Sequence, residues 1–226
     1  MVKAVTQAGL QNPMSEAGVD VFAAAQRAVA VQTRYARAGL GLAQAALAGA
    51  CGLNTLRHYP AGDVIDPHNR SQFYYHAHGS RRRPTLEHGH FHLFVRQPAN
   101  GDQASTFFHL VALSLDAQGW PLRWFTTNRW VTGETWVPAE TAIAALPGFR
   151  PATKGRLAPV AVWLGAMVAL YADTITALLR RRDRMVARRL HAGIGAEALF
   201  EDRQLDVITE TQVSLPRRLQ QLAGLS

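Results

Sequence analysis

The sequence predicts an α+β fold in a single domain over residues 1–226: an antiparallel sheet of about four strands, flanked by N- and C-terminal helices packed on it. Two changes of periodicity carry this reading. Residues 19–50 and 138–211 repeat apolar side chains at helical spacing, whereas residues 72–127 switch to short aromatic and β-branched runs separated by turn residues. Length supports it as well, since 226 residues with 48% hydrophobic and 18% charged side chains suffice for one substantial core.

In the N-terminal segment, Val21, Phe22, Ala25 and Val29, then Val31, Tyr35, Ala38 and Leu42, mark one long helix or two helices broken near Gly39–Gly41. Gly52, Asn54 and Pro60 end that pattern and lead into a turn-rich stretch, Pro60–Ser71. Four strands follow at Gln72–His78, Glu87–Arg96, Thr106–Asp116 and Pro121–Thr127, with turns at Gly79–Leu86, Pro98–Asp102 and Gln118-Gly119. The simplest arrangement is a meander. After Pro147, Gly148 and Pro151, helices are predicted at Ala158–Arg189 and Ala196–Thr211.

Composition excludes several function classes. Cys51 is the sole cysteine, so neither an intramolecular disulfide nor a thiolate metal cluster can form, and any metal must be held by nitrogen or oxygen. The first twenty residues carry no apolar run like that of a secretory signal, and the chain reads as cytoplasmic. Val160–Leu179 is apolar enough to raise a membrane span, but Asp173, Thr174 and Thr176 fit a buried packing helix better. The net charge of +8 raises nucleic acid as a partner. Yet the arginines gather in two clusters, Arg81–Arg83 and Arg180–Arg189, without any nucleic-acid-binding motif, so a solvated helix face is the expected role of the second.

The histidines point to chemistry. Eight of nine (His58, His68, His76, His78, His88, His90, His92 and His109) lie between residues 58 and 109. Protonated imidazoles repel one another, and a metal ion is the usual reason to collect neutral ones. On a strand, residues two apart share a face, so His76 and His78 point one way, and His88, His90 and His92 share a face on the next strand. Paired as a hairpin, the two faces meet at about 4.5–5.5 Å, and His109 on the third strand can join them. Metal ligands are therefore expected among His76, His78, His88, His90, His92 and His109, for iron, copper or zinc. Gly89 is expected to leave space beside them. Glu87, of opposite parity, becomes a ligand only through a bulge at Gly89; otherwise it orients an imidazole or serves as a general base. Tyr74 shares parity with His76 and His78, and His58 and His68 are expected at the periphery or surface.

The strings YYHAH, EHGHFHLF and FTTNRWVTGETW resemble a bacterial domain family of unknown function, over most of residues 55–210. The resemblance implies one domain and no particular reaction. An HxH pair with a further histidine on the next strand also looks like the zinc arrangement of alpha-type carbonic anhydrases, but those enzymes are mostly strand. The cupin pattern looks similar too, but Glu87 lies nine residues after His78 and not on the same strand.

Trp120, Trp124, Trp130 and Trp136 are expected to pack between sheet and helices, with a pocket wall as the alternative. Arg129, in a predicted loop, is the expected anchor for a carboxylate or phosphate. The sequence thus predicts a histidine-ligated metalloenzyme acting on a small molecule, anionic where Arg129 anchors it, with Glu87, Tyr74 and Arg129 as its catalytic groups. A non-haem iron or copper oxidoreductase leads, ahead of a zinc hydrolase or lyase and of a non-catalytic metal sensor. Nucleic acid and membrane are disfavoured partners.

Overall fold

A computed structural model describes residues 20–78, 86–98 and 105–224. The Arg81–Arg83 cluster and most of the predicted turns at 79–86 and 98–102 lie outside the described residues.

Helix α1 (Val21–Arg37) begins where the Asp20 carboxylate accepts the Ala23 N–H at 3.0 Å. Its buried stripe of Ala24, Ala25, Ala28 and Val31 has helical spacing. The chain does break near Gly39–Gly41, and α2 (Leu42–Ala46) follows. After the first five strands come α3 (Arg129–Thr132), α4 (Ala139–Ala145), α5 (Ala158–Leu170), α6 (Ala172–His191) and α7 (Ala196–Phe200), and α8 (Leu215–Leu222) follows the last strand.

The sheet has six antiparallel strands in sequential order, not four: β1 (Tyr59–Asp66), β2 (Ser71–His76), β3 (Gly89–Gln97), β4 (Thr106–Leu115), β5 (Pro121–Thr127) and β6 (Val207–Gln212). The two additional strands are its edges. Pro60, Gly62 and Asp63 make β1 read as turn; an edge strand tolerates a proline, and its register shifts between Tyr59 and Val64. The predicted helix Ala196–Thr211 ends at Phe200 as α7, because the β-branched run Val207, Ile208, Thr209 and Thr211 favours a strand, and Val207, Thr209 and Thr211 pair along β5. At the predicted tight turn between β4 and β5, Gly119 takes φ +90°, and a Cβ there would lie 2.5 Å from Leu42 N.

One face of the sheet carries Phe73, Tyr75, Phe91, Leu93, Leu113 and Trp124, which share a single core with α1, α2, α5 and the first half of α6. The apolar stretch Val160–Leu179 is two helices: α5 ends at Leu170, and α6 turns away by 73°. No single described helix is long and apolar enough to cross a membrane. Most of α5, including Val160, Trp163, Leu164 and Met167, is buried in the core.

The arginine face of α6 needs one correction. Arg181, Arg184 and Arg188 are exposed, but Arg182 is only 3% exposed. Its guanidinium donates to Val137 O at 2.8 Å and to Asp183, and lies 4.4 Å from the Trp136 ring centroid. Helical periodicity decides this, since Arg182 falls on the inward stripe with Ile175, Leu178, Leu179 and Val186.

Candidate metal centre

The opposite face of the sheet is polar and still buried. Tyr74 and His76 on β2 stand directly across from His92 and His90 on β3. Beyond them, β4 contributes His109, Ala112 and Ser114, and β5 contributes Arg123, Phe125 and Thr127. His76, His90, His92 and His109 are each at most 6% exposed.

His109 reaches this face through a bulge. The register pairs Leu93 with Val111 but Phe94 with His109, so Leu110 is the extra residue and parity reverses beyond it. Without the bulge Leu110 would face the histidines. Small side chains at Ala112 and Ser114, across from His92 and His90, leave room for the imidazole rings.

Ligand nitrogens of His76, His78 and His90 all lie within 4.8 Å of one another, close enough for the three to close on one metal ion. The Nε2 atoms of His76 and His90 are 2.8 Å apart. On its other side, His90 Nδ1 donates to Glu87 Oε1 at 2.7 Å, and Arg123 donates to Glu87 Oε2 at 3.2 Å. Burial by itself raises the Glu87 carboxyl, but the His90 hydrogen bond and the Arg123 charge outweigh it and hold the group below the usual carboxylate range. An ionised carboxylate only accepts, so His90 carries its proton on Nδ1 and turns the Nε2 lone pair toward His76 and His78. Arg123 is itself anchored by Glu210.

A second chain of imidazoles runs away from the first. His92 Nδ1 lies 3.1 Å from His109 Nε2, and His109 Nδ1 lies 3.2 Å from Thr127 Oγ1. Burial, reinforced by its neighbours His90, His78 and His58, pushes His76 down to about 2. Burial, with the Arg182 charge, pushes His109 down to about 3, and burial holds His92 well below its ordinary value. These rings are therefore neutral, the state a metal ligand requires.

Tyr74 packs at the centre of the face. His58 stacks on it at 3.7 Å, and the rings of His76, His92 and Phe94 lie 5.1–5.6 Å away. Burial, then the charges of Asp63 and Glu134, raise its phenol above the ordinary value. His58 thus stands beside the cluster, also edge-on to His76, with Nδ1 on Asp63 at 3.0 Å. His68 stays in the β1–β2 turn, its backbone N–H on Asp66.

Several expected residues fall elsewhere. His88 precedes β3, so strand parity does not govern it; its Nδ1 meets the Tyr75 hydroxyl at 2.8 Å, beside a side chain of the opposite face. Glu87 likewise precedes β3, and it reaches the histidine face without a bulge at Gly89. The space left by Gly89 is filled, because a Cβ there would meet Tyr75 Cζ and His76 O at 2.7 Å. Arg129 opens α3, capped by Asn128, and pairs with Glu201 at 2.7 Å over the Phe200 ring. Among the tryptophans, Trp124 is core, Trp130 donates to Leu205 O and Trp136 packs on Phe200, whereas Trp120 is largely exposed. Sequence reasoning missed Arg123 and saw Glu134 only as one of the polar groups interleaved with the tryptophans. Glu134 is buried beside Thr132, and burial keeps its carboxyl well above the usual range against the pull of Arg182 and Arg129.

The profile of a family described as a domain of unknown function, DUF6969, matches residues 22–213. The chain belongs to this family. The DUF6969 match runs from α1 through β6 and so contains the whole sheet and every histidine of the cluster. No curated protein and no solved structure matches the chain.

Proposed function

We propose that this protein is a metal-dependent enzyme whose ion is held by His76, His78 and His90, and that it is a non-haem iron or copper oxidoreductase. The observation that carries this reading is the convergence of three imidazoles on a buried sheet face, with Glu87 directing the His90 lone pair into it. Structural zinc sites take four protein ligands, whereas three imidazoles leave a position for water, dioxygen or substrate. Imidazole without thiolate suits iron and copper. Tyr74, whose ring packs against those of His76 and His92, would donate a hydrogen bond near the ion, and Glu87 would keep the His90 ring oriented. The substrate would be a small molecule, anionic if Arg129 takes part, in which case Arg129 must leave Glu201.

Zinc with the same three nitrogens is the second reading, since a zinc-bound water ionises near neutral pH and would serve a hydrolase or lyase. Elemental analysis of untagged protein separates the two. Close to one equivalent of iron or copper is expected, lost when His76 and His90 are both replaced by Ala. Azide added to the copper form should shift its visible and electron paramagnetic spectra. Full metal retention in the double variant would remove the reading, and zinc as the resident ion would move it to hydroxide chemistry.

A further inference from the structure

His92 is fully buried, and its Nε2 has no hydrogen-bond partner among the described residues. Polar atoms at that depth are partnered as a rule, and beside a candidate metal centre an ion would supply the partner. The ring centroid lies 5.0 Å from that of His76 and 4.9 Å from that of His90, so the lone nitrogen belongs to the ring cluster that contains two of the metal-binding imidazoles. We propose that His92 Nε2 is a fourth ligand of the ion held by His76, His78 and His90, a proposal that rests on reading that cluster as a metal centre.

Two hydrogen-bonded chains support it. Glu87 accepts from His90 Nδ1 and leaves Nε2 for the ion. His109 does the same for His92: if His92 Nδ1–H donates to His109 Nε2, the remaining His109 proton lies on Nδ1 and donates to Thr127 Oγ1. Each atom then has one role, and the His92 Nε2 lone pair is left for a metal. The reverse order would bury an N–H without an acceptor. His109 is thereby a positioning residue and not a ligand, as is usual for a group bonded to the far nitrogen of a ligating imidazole. The nitrogens that lie within 4.8 Å of one another are those of His76, His78 and His90, so ligation would draw His92 Nε2 toward them. The consequence concerns metal choice, because four nitrogens complete a tetrahedral zinc ion, whereas iron(II) or copper(II) accept further ligands and keep a position open.

Copper(II), added as one equivalent to the metal-free full-length protein, is the probe, and the nitrogen splitting in its electron paramagnetic spectrum is the readout. The wild type should show four nitrogens. His92→Ala, and His92→Gln as a variant that preserves more volume, should show three and bind copper at least about tenfold more weakly, the scale on which even outer partners of a metal site act. An unchanged nitrogen count in the His92 variants, whether three or four, overturns the proposal and leaves the three-histidine centre standing. Should His92→Ala fail to fold, His92→Gln decides. Copper that binds equally well after His76 and His90 are both replaced by Ala overturns the centre itself.

Discussion

Glu87 shows how much one side chain can set at this site. It is 3% exposed and answers two donors, one on the candidate ligand His90 and one on Arg123. Glu87→Gln keeps the shape but makes the acceptor neutral and offers an N–H as well. Metal affinity, measured by competition with a chelator, should fall by about 10–100-fold with the fold retained; unchanged affinity would mean that His90 does not depend on this bond. His76, His92 and His109 add a pH dependence. Their folded values lie below the unfolded value of about 6.5, so the unfolded chain binds more protons in acid. Stability is therefore full above about pH 6.5 and is lost as pH falls toward about 3 for His109 and about 2 for His76. Each such ring costs about 1.4 kcal/mol per pH unit within that window. Glu87 acts in the same direction at lower pH, and Glu134, with its raised carboxyl, acts against both. Urea midpoints of the metal-free protein should be level from about pH 7 to 8 and fall steeply below about pH 6.

Gly89 tests the contact between strands. It lies at the start of β3, where a Cβ would overlap His76 O and the Tyr75 ring. Gly89→Ala should destabilise by about 1–3 kcal/mol, as overpacking generally does, and should lower metal retention by spreading the His76–His90 pair. On α6 the arginines divide by face. Arg182→Ala removes a donor from Val137 O and from Asp183, which also accepts the Ala139 N–H at the start of α4. A loss of about 1–3 kcal/mol is expected, because Val137 O is left buried without its donor. Exposed Arg188→Gln should stay within about 0.5 kcal/mol. Equal urea midpoints for the two variants would mean that Arg182 is not held as described.

Across the whole molecule, one apolar cluster runs from Ala24 in α1 to Leu215 in α8 and joins both helical segments to the sheet. Far-UV dichroism and tryptophan fluorescence should therefore report one coincident thermal transition, with Trp124 and Trp163 as the buried reporters. The metal should act as a staple on that transition. At a free concentration of about 100 times Kd, a ligand bound only by the folded state adds about 2.7 kcal/mol. Added copper should raise Tm in the wild type and leave it unchanged after His76 and His90 are both replaced by Ala.

The sequence by itself determined the fold class, the four central strands to within a few residues, and the set of six histidines within which the candidate centre lies. These follow from local rules: strand parity puts residues two apart on one face, and the turn-rich segments between the runs make a meander. The structure drew His76, His78 and His90 together from that set. Only the tertiary structure decided the edges of the sheet. Pro60 and Gly62 make β1 read as turn, and β6 is sustained by pairing along β5, which no local pattern reveals. It also decided which polar groups complete the site. His109 turns inward because of one extra residue at Leu110, His88 and Glu87 lie just before β3 where parity no longer applies, and Arg123 comes from a strand 36 residues beyond the carboxylate it holds. Periodicity describes a regular strand and stops at its ends and bulges; beyond them, packing sets the direction of each side chain.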